Sequence, residues 1–154
     1  MEAIFDHEKL DVYGLQLQFV AWTADFLIEA SQSPVAHRRE LLSQLDRACL
    51  SILLNSAEGN GKRHGLQRAK FFDDARGSAL ECAACLDASV AKRIAKSDRI
   101  HFGKQLLIRI VAMLINAFSL SVLTRANSVN MNPMRDPVAV VLRALDRVHR
   151  RPDM

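Results

Sequence analysis

The feature that most restricts this chain is a hydrophobic repeat at steps of three and four that fills four long segments. From about Lys9 to Ala30 it runs through Val12, Leu15, Phe19, Trp22 and Phe26. From about Ala36 to Glu58 it runs through Leu41, Leu45, Ala48 and Ile52. From about Leu66 to Lys96 the stripe is Phe72, Ala75, Ala79, Ala83, Leu86, Val90 and Ile94. A fourth stretch, from Ser97 or Asp98 to Ala126, carries Leu106, Ile110, Met113, Ala117 and Leu120. Only an α-helix gathers residues at these steps onto one face. No run alternates convincingly at period two, as a half-buried strand would. The stretches SQSP and GNGKRHG punctuate the pattern, with Pro34 expected to open the second helix and Gly59 to close it as a C′ cap. Long helices joined by short turns predict an all-α fold, an antiparallel up-down-up-down four-helix bundle, over residues 1–130. Residues 131–154 are expected to add a linker and a short basic amphipathic C-terminal helix. Its apolar face would be Val138, Val141, Leu142, Leu145 and Val148, with Arg143, Arg147, Arg150 and Arg151 around the rest.

At 154 residues, 49% hydrophobic and 25% charged, the chain has the length and balance of one ordinary globular domain. Its acidic start, MEAIFDHEKLD, lacks a signal-peptide pattern, so a cytoplasmic protein is expected. The run Leu106–Leu123 is nearly long enough to span a bilayer. Arg109 and Asn116 lie inside it, and a charge in a solitary span is costly. A helix buried on several sides by protein is the better reading, and no membrane partner is expected.

Catalytic signatures are weak. There is no Glu-x-x-His, and Asp98 with His101 gives a single Asp-x-x-His. GNGKRHG follows a helix rather than a strand and lacks the spacing of a phosphate loop. The three cysteines, Cys49, Cys82 and Cys85, are odd in number, and CAAC falls in mid-helix, so they read as small buried hydrophobes. The expectation is no enzyme, no catalytic residue, no metal and no cofactor.

The second helix raises a sharper question. A polar row, Gln44, Arg47, Ser51, Asn55 and Glu58, runs along it at steps of three and four. It fits a solvated arc. It also fits a buried polar network, because Ser and Asn are poor mid-helix residues that often have a partner. Partners are available in ARGSALE on the third helix, where Arg76, Ser78 and Glu81 surround Gly77. A mid-helix glycine beside a serine suggests that another helix passes close by. The candidate network is therefore Arg47, Ser51, Asn55, Glu58, Arg76, Ser78 and Glu81. A catalytic role is the weakest of the three readings.

Helix two has a further apolar face, Leu50, Leu53, Leu54 and Ala57, and helix four is apolar most of the way round. Faces of this kind are an aggregation hazard unless covered, which predicts self-association. Cations cluster at two turns: Lys62, Arg63, Arg68 and Lys70 after helix two, and Lys92, Arg93, Lys96, Arg99 and Lys104 around the next turn. The first cluster is the candidate nucleic-acid-binding site. Aromatic residues are only 6%, so contacts to phosphate rather than stacking on bases are expected.

QLDRACLSILLNSAEGNGKR, followed by KFFDDARGSALE, resembles the bacterial four helix bundle protein family, some of whose members are encoded in intervening sequences of ribosomal RNA genes. The matching positions are Gln44, Arg47, Ala48, Ser51, Ile52, Asn55, Ala57, Glu58 and Gly59, then Phe72, Ala75, Gly77, Ser78 and Glu81. The similarity covers roughly residues 5–125. The resemblance implies an antiparallel bundle assembling as a ring-like homopentamer. It also implies relatives among accessory proteins of diversity-generating retroelements, thought to bind nucleic acid and a reverse transcriptase. Two functions follow as expectations. One is a nucleic-acid-binding or ribonucleoprotein accessory module whose partners are itself and RNA or DNA. The other is a homo-oligomeric scaffold whose partner is another protein.

Overall fold

The fold is known from a computed structural model that describes residues 5–128, with side chains through 123. The expected linker and tail helix at 131–154 lie outside the described residues. After a short 3-10 turn at Asp6–Lys9 come α1 (Asp11–Ser31), α2 (Arg38–Gly61), α3 (Gly65–Ala91) and α4 (Ser97–Ser128). Among the described residues there is no strand.

The buried positions show why these helices pack side by side. In α1 they are Val12, Gln16, Phe19, Thr23, Phe26 and Ala30, and in α2 Leu42, Leu45, Cys49, Ile52, Ser56 and Gly59. In α3 the same alternation of three and four runs through Phe72, Ala75, Ala79, Cys82, Leu86 and Ser89. In α4 it passes Ile100, Leu107, Ile110, Leu114 and Ser121. A 3.5-residue repeat keeps one seam facing its partners, the geometry of coiled-coil-like bundles.

Cross-helix partners run in opposite senses. Gln44 meets Glu81 and Ser51 meets Ser78, so α2 rises in number as α3 falls. Gln16 meets Ser56, Lys104 meets Asp87, and Arg99 meets Glu29. Packing is most extensive along α3, which lies against both α2 and α4, and is least along α1.

Several sequence expectations change. Pro34 does not open α2, which starts four residues later behind His37 in the left-handed region (φ 59°). Gly59 is not a C′ cap: α2 continues through Gly61, and no glycine has positive φ. Gly59 is buried, and a Cβ there would come within 2.9 Å of Phe71 Cβ. It is glycine because α2 and α3 nearly touch beside their turn.

Helix α3 ends at Ala91 rather than Lys96. Its last turn closes as a Schellman motif: Ile94 N–H donates to Ser89 O (2.8 Å) and Arg93 N–H to Val90 O (2.8 Å). Arg93 takes the left-handed position (φ 60°) that usually favours glycine, so no glycine marked this end in the sequence. Ile94 still reaches the core from the connector.

Helix α4 is not enclosed on several sides in a single chain. Ile108, Ile115, Leu120 and Leu123 are exposed, Leu120 at 65%, although it was expected on the core stripe. By length and composition Ser97–Leu123 would also be able to cross a membrane; Lys104 and Arg109 lie within it. On α2, Leu54 is 64% exposed, whereas Leu53 and Ala57 are half-buried.

Candidate functional site

The polar row forms a seam where α2 meets α3. Asn55 Nδ2 donates to Ser51 Oγ (3.0 Å) and to the Ser51 carbonyl (2.9 Å). Ser51 Oγ lies 2.8 Å from Ser78 Oγ, which donates to the Asp74 carbonyl at 3.0 Å. These bonds order the protons in one direction: Asn55 to Ser51, Ser51 to Ser78, Ser78 to Asp74. Each hydroxyl donates and accepts, so the chain is mutually polarised. Further along, Gln44 bridges the helices, donating to Glu81 and accepting from Arg47.

Two expected members stand apart. Glu58 is 54% exposed and pairs with Lys62, the residue that follows the end of its own helix (2.8 Å). Arg76 pairs with Asp73 on its own helix (2.7 Å). Both find a carboxylate or ammonium within one helical turn, so neither needs a partner across the gap. Arg47 and Glu81 are exposed, and Ser51, Asn55 and Ser78 half-buried. In the single chain, burial of Arg47, Glu58 and Glu81 is therefore not what the structure places there. Gly77 is exposed, and among the described residues nothing lies within 4 Å of an added Cβ, so none of α1, α2 and α4 passes close to it.

The fully buried polar groups lie elsewhere. Gln16 Nε2 donates to Ser56 Oγ at 2.6 Å between α1 and α2, with both residues at most 1% exposed. Thr23, Cys49 and Cys82 continue the interior. All three cysteines are free and buried. Burial pushes the Cys49, Cys82 and Cys85 thiols up; at Cys49 the Thr23 hydroxyl opposes that shift. Such thiols are poor nucleophiles. The signal for this seam was present in the sequence: Gln16, Thr23 and Ser56 are polar residues sitting on heptad core positions.

The expected basic site at the turn after α2 is only partly available. Lys62 pairs with Glu58 and lies over the Phe71 ring (4.8 Å). Lys70 pairs with Asp74 (2.7 Å), which holds its ammonium above the usual range. Arg68 is half-buried and donates to the Asn60 carbonyl at 3.2 Å. Arg63 is exposed and has no carboxylate partner among the described residues. At the next connector, Arg99 pairs with Glu29 (2.5 Å) over the Trp22 ring, and Lys104 with Asp87 (2.6 Å). Lys92, Arg93 and Lys96 are exposed, with no carboxylate partner among the described residues.

Four packed helices with heptad cores, a directed polar seam between α2 and α3, and cations gathered at the turns define a small all-α helical bundle protein. The chain belongs to the family described as 23S rRNA-intervening sequence protein, whose model matches residues 8–116. No curated protein shows a significant match to it.

Proposed function

We propose that this chain is a non-catalytic accessory module that holds nucleic acid by its phosphate backbone and works as a homo-oligomer. The observation that carries the first part is the set of cations left without carboxylates at the connectors, Arg63, Lys92, Arg93 and Lys96, on a chain of net charge +4. Phosphate contacts of this kind are sequence-independent and weaken steeply with salt. Binding of labelled mixed-sequence RNA and DNA at about 50 and 200 mM salt tests the reading. Binding at the lower salt that collapses at the higher supports it; no binding at either removes it.

A second reading, a homo-oligomeric scaffold for a partner protein, is favoured by a different observation. An open groove of about 290 Å³ between α3 and α4 is lined by Leu80, Ala83, Ile108, Val111 and Ile115, and Ile108 is 61% exposed. Both readings call for self-association, with five copies expected from the resemblance. Light scattering after size exclusion measures it, and a monomer at micromolar concentration would count against both.

A further inference from the structure

We infer that the main phosphate contact is not at the turn after α2 but at the opposite end of the bundle, in the cleft between residues 32–37 and 92–96, and that it takes a phosphodiester of a nucleic-acid backbone. The inference rests on the nucleic-acid reading above and moves its site. The α1–α2 and α3–α4 connectors share one end, as the Arg99–Glu29 pair between α4 and α1 shows. Between them opens a cleft of about 880 Å³, faced by Gln32, Ser33 and Pro34 on one side and Arg93, Ile94 and Lys96 on the other. That is room for a backbone segment rather than a single ion.

The charge balance of the two ends decides between them. The cleft wall carries Arg93, Lys96 and Arg99 against the carboxylates Glu29 and Asp98, with Arg38, Arg39, Glu40 and Lys92 next to it along the chain. Glu29 is already bound to Arg99, whereas Asp98, which accepts the Arg99 backbone N–H at 2.9 Å, keeps its charge. Arg38 donates to the carbonyls of Ser31 and Val35 and so keeps its full charge. At the far end, Lys9, Lys62 and Lys70 are paired with Asp6, Glu58 and Asp74, which leaves Arg63 and the half-buried Arg68. Paired surface charges project little field, whereas unpaired cations rimming a concave surface reinforce one another. Arg93 adds a backbone observation. It occupies the left-handed position of the turn that closes α3, with its side chain exposed at the cleft wall. Helix α4 also starts at the cleft, and its first N–H groups favour an anion, with Asp98 partly offsetting them.

The test measures binding of a fluorescein-labelled mixed-sequence single-stranded RNA and a DNA duplex by anisotropy across a salt series. The Arg93→Gly/Lys96→Glu variant is expected to bind weakly. Its plot of log affinity against log salt should be shallower by about 1.4 for the single strand and about 1.8 for the duplex, the loss of two phosphate contacts. Arg63→Glu, at the far end, removes one contact outside the cleft, so its slope should fall by no more than about 0.7 for the single strand and about 0.9 for the duplex. Arg93→Gly suits the left-handed backbone, so the variant should fold; should it not, Lys92→Gln/Lys96→Gln changes only exposed side chains and should show the same loss. Loss of binding in Arg63→Glu with retention in the cleft variants would overturn this site while leaving the nucleic-acid reading standing. No binding by wild type would overturn both. Displacement of a cleft-bound dye by polyglutamate but not by RNA would overturn the cleft as a nucleic-acid site alone and would assign it to an acidic protein.

Discussion

Replacing Gly103 by Ala places a methyl group into the face of Trp22. The new Cβ would overlap Trp22 Cη2 and Cζ3 and lie 2.8 Å from Cε3, where carbon atoms ordinarily sit about 3.5–4.0 Å apart. The ring cannot slide away freely. It is stacked beside Phe19 and Phe26, with centroids 5.8 and 5.4 Å away, and the Arg99 guanidinium lies over it at 5.2 Å. Three terms compete. Alanine in a helix interior gains about 1 kcal/mol over glycine. Overpacking costs about 1–3 kcal/mol, and driving a large aromatic out of its site costs up to about 3–5 kcal/mol. The expected net loss is about 1–3 kcal/mol, because the clash is with a rigid ring flanked by other rings. Trp22 is the only tryptophan, so its emission reports the site directly. Urea unfolding at one fixed protein concentration should show a lower midpoint and red-shifted native emission. In a Trp22→Leu background the same Gly103→Ala change should become neutral or stabilising. An unchanged or raised midpoint with unchanged emission would refute the reasoning.

Gly14 in the first turn of α1 and Gly77 in the middle of α3 are exposed, with nothing among the described residues within 4 Å of an added Cβ, so Gly14→Ala and Gly77→Ala should each stabilise the single chain, by up to about 1 kcal/mol, in thermal unfolding. A gain at Gly14 with a loss at Gly77 would instead show that a second copy packs against Gly77. Glu58→Ala should cost under about 0.5 kcal/mol in urea melts, since its ion pair with Lys62 is a solvated local one; a loss above about 1 kcal/mol would restore the buried-network reading. Cys82 keeps its proton in the fold well beyond pH 9, where an unfolded thiol loses it. Its contribution to stability is therefore intact below about pH 9 and falls by about 1.4 kcal/mol for each pH unit above that. Cys82→Ala should flatten the alkaline decline measured between pH 9 and 10.5 by that amount, and an unchanged slope would contradict the buried-thiol picture.

The helices and most of the core were legible because heptad spacing is a property of the chain alone. Phe19, Leu45, Ile52, Ala79 and Ile110 sit where the pattern put them. The polar row was legible as a row; of the candidate network, Ser51 and Ser78 meet at 2.8 Å, a pairing the sequence did not single out. Its outer members were misjudged through neglect of a short-range signal: Glu58 and Lys62, like Lys70 and Asp74, are four apart and pair along one helix. The same spacing would have shown that two of the four expected phosphate contacts are already neutralised. Other features had no local signature. Gly59 and Gly103 are fixed by rings arriving from other helices, and glycine alone does not distinguish a cap from a close approach. The end of α3 was missed because Arg93 fills a left-handed position with a side chain. The cleft depends on which connectors share an end of the bundle and on who pairs with Glu29, both of which are tertiary facts.

The unequal packing around α1 has a consequence for how the bundle breathes. Helix α3 is held on two sides, by the seam with α2 and the apolar contact with α4, whereas α1 is the least packed helix and carries Gln16 and Thr23 on its buried face. Detaching α1 returns an amide and a hydroxyl to water, which offsets part of the apolar area lost. Opening therefore starts at α1, and its backbone amides should exchange with deuterium sooner than those of α3, through a partial unfolding that leaves the α2–α3 seam closed.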